Sequence, residues 1–318
     1  MYKIKRYIAE CAAEWDAFVP QTRNGTFLFM RSYMDYHADR FCDHSLMIYR
    51  KEKLCALLPA NESGNILYSH GGLTYGSLLT LPSLGAVDVC DIFTQINKYL
   101  KENGFCEVIY KAIPWIYHRM PAEEDLYALF KVCNARLIKR EISSTIVYDN
   151  QEVKFTESRR SGIRKAERNG IIICETDDMV SFWQILNDNL AEKYNAKPVH
   201  SLGEIQLLKS RFPSNIRLFM AHSAEGCPLG GSVIYENHGI AHTQYISASP
   251  KGKQQGALDL LFQHVINNVF AKSGCKYFDI GTSTLEGGHI LNEPLIFQKE
   301  GFGGRGVCYD TYKWIIGE

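Results

Sequence analysis

Three stretches of the chain gather residue types that do chemistry. The first, 157–170, reads Glu-Ser-Arg-Arg-Ser-Gly-Ile-Arg-Lys-Ala-Glu-Arg-Asn-Gly. Arg160, Arg164 and Arg168 recur every fourth residue, which lines them along one face of a helix. Guanidinium groups in such a row suit phosphate oxygens, which accept paired hydrogen bonds. The competing reading is a solvated helix whose glutamates pair with its arginines. The second stretch, 249–257, reads Ser-Pro-Lys-Gly-Lys-Gln-Gln-Gly-Ala and separates a predicted strand from a predicted helix. Backbone amides at a helix start bind phosphate, so Lys251, Lys253, Gln254 and Gly256 are candidate anion-binding residues. An ordinary strand-to-helix turn uses the same residue types. The third stretch runs from Phe278 through a glycine-bearing loop to Gly304. Ligands usually sit beyond strand ends, so Ser283, Glu286, His289 and Lys299 are candidates for binding or proton transfer. Singly, each also suits a turn or a cap.

Histidine and tyrosine add two more candidates. His200 follows a predicted helix and could be a base, or could cap the next helix. Tyr245 sits mid-strand, where core packing competes with a hydrogen bond to substrate. His238 and His242 are four apart but fall in a turn and a strand, and no third ligand accompanies them, so no metal is expected. A Gly-x-Ser-x-Gly elbow, a P-loop and a dinucleotide fingerprint are all absent, which disfavours serine hydrolases, NTPases and dehydrogenases. The ten cysteines show no Cys-x-x-Cys spacing, which argues against a zinc ribbon or a redox dithiol.

The elements that must position these residues alternate between helix and strand. Helices are expected at 9–19, 32–41, 86–103 and 122–133, with strands at 44–50, 53–60, 65–69, 106–111 and 136–148. In 86–103 the apolar face is read as Val87, Ile92, Ile96 and Leu100. The order then restarts: helices at 157–169, 179–194, 202–211, 255–272 and 289–300, with strands at 171–174, 216–222, 228–236, 240–248, 275–280 and 306–316. A length of 318 residues fits two domains, expected at 1–150 and 151–318, with the last strand able to return to the first. Apolar residues make up 46% and charged residues 22%, which is globular usage. Lys+Arg and Asp+Glu are both 35, so no net field draws nucleic acid or anionic membrane, and any anion site must be a local patch. The N-terminus alternates like a strand and no apolar run approaches the ~20 residues that span a bilayer, so a cytoplasmic location without a membrane span is expected.

Together, the basic helix 160–170, the turn 250–261, Tyr277-Phe278-Asp279-Ile280-Gly281 and the terminal 297–304 with Lys299 and Phe-Gly-Gly resemble the FemABX-related group of the GNAT acyltransferase superfamily. In the first half, 69–76 (Ser-His-Gly-Gly-Leu-Thr-Tyr-Gly) belongs to the same resemblance. The resemblance implies an α/β (α+β) fold with tandem GNAT-like domains, each a mixed sheet flanked by helices. It places the substrate cleft between the domains and the donor in the second, where two central strands, 240–248 and 275–280, splay apart. Against the coenzyme-A pattern Gln/Arg-x-x-Gly-x-Gly/Ala, the stretch from Lys251 keeps only Gly256, with Gln254 where glycine belongs. Fem peptidyltransferases carry arginine and aspartate in their first-domain loop, where this chain offers His70 and Tyr75, and some carry a coiled-coil insertion that is absent here.

The expected activity is N-acyl transfer from acetyl-CoA or another acyl-CoA to a small-molecule amine, such as a nucleotide-linked amino sugar of cell-surface glycan synthesis. Glu286 is the expected base, raised towards neutrality by partial burial, with His200 and His289 as alternates and Tyr245 and Lys299 in the cleft. Lys251, Lys253, Gln254 and Gly256 would hold the donor. Arg160, Arg164, His70, Tyr75, Ser283 and His289 would hold the acceptor. The alternatives are a Fem-type aminoacyl-tRNA-dependent peptidyltransferase, which zero net charge disfavours, and a degenerate GNAT-fold binding module. Nothing in the sequence sets an oligomeric state.

Overall fold

Val89, Ile92, Phe93, Ile96 and Leu100 recur at helical spacing, and the helix Ala86–Glu102 buries all five. Val87 is exposed instead of facing the core, because the helix starts at Ala86 and its first turn turns that side chain outward. Asp88 accepts a hydrogen bond from the Gly85 amide at 3.2 Å and fixes that start. The computed structural model describes residues 2–149, 152–194 and 196–317. The chain divides into two compact units, one of residues 1–141, 284–290 and 308–318, the other of residues 142–283 and 291–307. The boundary expected at 150/151 lies outside the described residues.

In the first unit the strands are β1 (Tyr2–Arg6), β2 (Cys42–Asp43), β3 (Leu46–Arg50), β4 (Lys53–Leu58), β5 (Asn61–Ser63), β6 (Ile66–Tyr68), β7 (Leu79–Thr80) and β8 (Glu107–Lys111). The helices are α1 (Ala12–Phe18), α2 (Arg31–Met34), α3 (Ala86–Glu102) and α4 (Glu124–Lys131). One sheet has the order β1-β3-β4-β7, and β8-β6-β5-β2 form part of a second. The helix expected over 32–41 shrinks to α2 and a single 3₁₀ turn. Strand β9 (Arg136–Val147) carries the chain into the second unit.

There the elements are α5 (Glu157–Arg168), β10 (Ile172–Thr176), α6 (Met179–Tyr194), α7 (Leu202–Arg211), β11 (Ile216–His222), β12 (Pro228–Asn237), β13 (Ile240–Ala248), α8 (Pro250–Gln255), α9 (Ala257–Gln263) and β14 (Tyr277–Thr282). Short strands β15 (Thr284–Leu285) and β16 (Ile290–Leu291), helix α10 (Glu293–Glu300) and strand β17 (Arg305–Ile315) complete the chain. At the end of β17, Thr311 to Ile315 pair antiparallel with Lys111 to Glu107 of β8. In the second unit the order is β10-β11-β12-β13-β14-β9, a mixed sheet. Phe278 and Ile280 of β14, Ala241 of β13 and Ile234 of β12 meet Leu261, Phe262, Val265 and Phe270 in its core. Truncating a fully buried leucine such as Leu261 costs about 2–5 kcal/mol, so this helix and sheet hold each other in place.

One departure from the sequence reading and one agreement with it matter for the site. The single helix expected over 255–272 is instead broken at Gly256, where φ is +77°, and loosens into a π-helical turn at His264–Val269. The parallel pairing of β13 with β14 covers only Ile240 with Tyr277, Ala241 with Phe278 and His242 with Asp279.

Candidate active site

Beyond His242 and Asp279 the two central strands part. Thr243 Oγ1 still donates to the Ile280 carbonyl at 2.8 Å across the opening, while β13 runs on to Ala248. On its other side β14 pairs with β9, and one extra residue bulges out between Asp279 and Thr282. Gly281 lies in that bulge at φ +86°, a conformation that a side chain would strain. A polar cluster fills this fork. Asp279 is fully buried and accepts from His242 Nδ1 at 2.8 Å, Thr145 Oγ1 at 3.1 Å, the Gly281 amide at 3.3 Å, and Ser143 Oγ. Lys299 of α10 is buried too, and its ammonium donates to the carbonyls of Gly281 and Thr282 at 2.8 and 2.7 Å. Burial pulls Lys299 down to about 8, and the nearby Asp279 charge works in the opposite direction. A β-carbon placed on Gly281 would stand 3.8 Å from His242 Cε1 and 3.9 Å from Lys299 Nζ, so both groups converge on the space above this glycine.

The second cluster joins His200 to Tyr245. His200 Nδ1 lies 2.5 Å from the Tyr245 hydroxyl, and the indole of Trp183 donates to the His200 carbonyl at 3.3 Å. Burial pushes the Tyr245 phenol up to about 12, which keeps it neutral. The cap of α7 is Ser201, whose hydroxyl accepts from the Glu204 amide at 3.2 Å, so His200 does not cap that helix.

The remaining candidates fall in varied settings. Ser283 is buried, and its hydroxyl has no partner among the described residues. Glu286 and His289 are both exposed, and Glu286 sits at φ +49° in a 3₁₀ turn. The partial burial that would lift the Glu286 carboxyl is therefore not found. In the first unit His70 is buried at φ +57° with Nδ1 unpartnered, and burial drives its imidazole down to about 3. Tyr75 is buried there against Phe29 and Tyr117.

The turn 249–256 does not form an open phosphate cradle. The Gly252 amide is bound by Ser249 Oγ at 3.1 Å, and a β-carbon on Gly252 would meet the Leu229 carbonyl at 2.1 Å. A β-carbon on Gly256 would meet the Gly162 carbonyl of α5 at 2.4 Å, so this glycine admits a neighbouring helix, not a ligand. Lys253 donates to Asn189 Oδ1, while Lys251 and Gln254 are exposed. The Gly252 and Gly256 positions of this turn are thus packed against the protein's own backbone.

On α5 the basic residues divide. Arg159 pairs with Asp259 of α9 at 2.6 Å and locks the two helices together. Glu157 pairs with Arg160 at 2.9 Å and with Arg164, and all three are exposed. Lys154, Phe155, Arg160, Ile163, Arg164 and Gln263 line a cleft of about 560 Å³. Among the described residues no group of histidine, cysteine and carboxylate is placed to hold a metal, and no helix is long and apolar enough to cross a membrane.

Asp279, His242, Ser143 and Thr145 were given no place in the site from the sequence. They are spread over 137 positions of chain, and only the sheet order brings them together. The one available signal was an aspartate in an otherwise apolar strand, since a buried charge needs partners.

Comparison with known proteins agrees with this architecture. A family model for the acetyltransferase (GNAT) domain matches residues 154–287. FemX has a similar structure at 10% identity and TM-score 0.68, covering 98% of this chain and 97% of that one. L-PGS from Bacillus licheniformis matches at 14% identity and TM-score 0.63, covering 99% and 94%. A tandem GNAT protein from the clavulanic acid biosynthesis pathway matches at 10% identity and TM-score 0.53, covering 100% and 99%. No curated protein matches in sequence. The chain thus has the tandem GNAT-like fold of mixed sheet and flanking helices, and its residues 154–287 match the acetyltransferase (GNAT) domain.

Proposed function

We propose that the fork between β13 and β14 transfers an aminoacyl group from an ester donor of the aminoacyl-tRNA kind to a small-molecule amine. The observation that carries this reading is the turn 249–256, whose Gly252 amide is taken by Ser249 Oγ and whose Gly256 packs against the Gly162 carbonyl. An ester donor needs no phosphate cradle there. Its carbonyl would lie over Gly281, within reach of the Lys299 ammonium, which stabilises charge developing on the carbonyl oxygen. Ser283, with a buried and unpartnered hydroxyl, is the best remaining hydrogen-bonding group for substrate. The cleft beside Lys154, Arg160 and Arg164 supplies a local basic surface for phosphates on a chain of zero net charge. A nucleotide-linked amino sugar as acceptor rests on those same arginines, and Glu157 already neutralises part of their charge.

A second reading keeps acetyl-CoA as donor, seated away from the 249–256 turn. The match of residues 154–287 to the acetyltransferase domain supports it. Thermal-shift titration of the full chain separates the two, since a ligand that binds the native state raises its melting temperature. Total aminoacylated tRNA is expected to raise it, and saturating acetyl-CoA to leave it unchanged. A saturable rise with acetyl-CoA alone would replace the first reading with the second.

A further inference from the structure

His242 and Asp279 form the last paired position before the strands part. Asp279 is held from three sides: by Ser143 and Thr145 of β9, by the Gly281 amide of its own strand, and by His242 of β13. Every one of these partners donates to it, so the buried carboxylate is kept as an acceptor and its oxygens cannot swing. Donating its Nδ1 proton to Asp279 fixes the imidazole tautomer in which Nε2 is the acceptor nitrogen. The ring edge at Cε1 reaches the space above Gly281 that Lys299 also borders. Among the groups near the imidazole are Asp279 from β14 and the Lys299 ammonium from α10, with Tyr235 opposite it on β12.

We propose that His242 is the proton acceptor for the attacking amine and that Asp279 is its positioning residue. This rests on the acyl-transfer reading above. The amine nitrogen bonds to the carbonyl carbon while its proton passes to His242 Nε2, and the C=O electron pair moves onto oxygen. When the tetrahedral intermediate collapses, the C–O bond to the leaving alcohol breaks and that oxygen takes the proton back from Nε2. One ester and one amine give one amide and one alcohol, and the histidine returns to its starting state. Asp279 keeps its charge throughout and stabilises the imidazolium that forms in between.

The test has two arms on the full chain. Diethyl pyrocarbonate acylates imidazole nitrogen, and mass spectrometry locates the product. His242 is expected to react in the folded protein, and Asp279→Asn to slow that reaction several-fold while exposed His289 reacts as before. The second arm is turnover with total aminoacylated tRNA and a panel of small amines. His242→Gln is expected to lower kcat ~10²-fold or more in a variant that remains folded. Failure of His242 to react, a reaction rate untouched by Asp279→Asn, or a His242→Gln rate within threefold of wild type would each overturn the proposal. If wild type turns over no donor, the acyl-transfer reading fails, and the chemical-modification arm alone decides the pair.

Discussion

The carbonyl oxygen of Gly162 stands 2.4 Å from the position a β-carbon on Gly256 would occupy. Helix α5 and the α8–α9 turn therefore touch backbone to backbone, and the φ of +77° at Gly256 makes the same residue the helix breaker. Gly256→Ala meets both a backbone clash and left-handed strain, which together cost ~1–3 kcal/mol or more. Urea unfolding is expected to show a lower midpoint at an unchanged m-value. An unfolding free energy within ~0.5 kcal/mol of wild type would mean that the turn can open to admit a ligand.

Arg160 and Arg164 sit on the surface with Glu157 as shared partner. Replacing both with alanine is expected to change stability by less than ~1 kcal/mol. The affinity for total aminoacylated tRNA should drop, and so should the slope of its dependence on salt concentration. A double variant with unaltered salt slope would reduce this row to a solvated helix face.

His70 links the first unit to acid. Its folded imidazole titrates at about 3 because burial disfavours the charged form, below the ordinary 6.5 of the unfolded chain. Between those values the unfolded state binds the extra proton, so stability falls as pH falls through that window, by up to ~1.4 kcal/mol per pH unit. His70→Asn keeps a residue that tolerates the left-handed backbone found there. Urea midpoints of the variant between pH 6.5 and pH 4 are expected to fall less steeply than those of wild type. Parallel slopes would show that His70 is solvated.

Lys299 acts in the opposite pH range. Its folded value of about 8 lies below the 10.5 of an exposed lysine. The unfolded chain binds more protons between these values, so the desolvation penalty is full below about 8 and is relieved as pH rises to 10.5. Relative to Lys299→Met, wild type should gain ~2–3 kcal/mol across that window in denaturant titrations. The variant should also lose at least ~10-fold in kcat, as expected when one charge stabilising the oxyanion is removed. A stability gap that does not move with pH would place the ammonium in water.

Much of the second unit can be read directly from the chain. The meander β11–β12–β13 follows its alternating residues, and glycine turns mark its ends, including Gly226 and Gly239 at φ +83° and +84°. The stop of α5 at Asn169-Gly170 was equally plain. The break at Gly256 was not, because the polar stretch before it carries no helix pattern of its own and only contact with Gly162 explains the glycine. The site was hidden for a related reason. Glu286 and His289 look reactive as residue types, but the loop leaves them in solvent. His242 and Asp279 look like stray polar residues in strands until parallel pairing sets them side by side. Local pattern reports elements, whereas register and burial decide which polar residues meet.

Joining of an aminoacyl ester to an amine at the fork is measured by incubating the full chain with tRNA charged with radiolabelled amino acids, acetyl-CoA and a panel of small amines, then identifying the amides by mass spectrometry. The expected result is label carried into an aminoacyl amide, with loss of charged tRNA and no acetylated amine. Acetylated amine formed while the charged tRNA stays intact would contradict it.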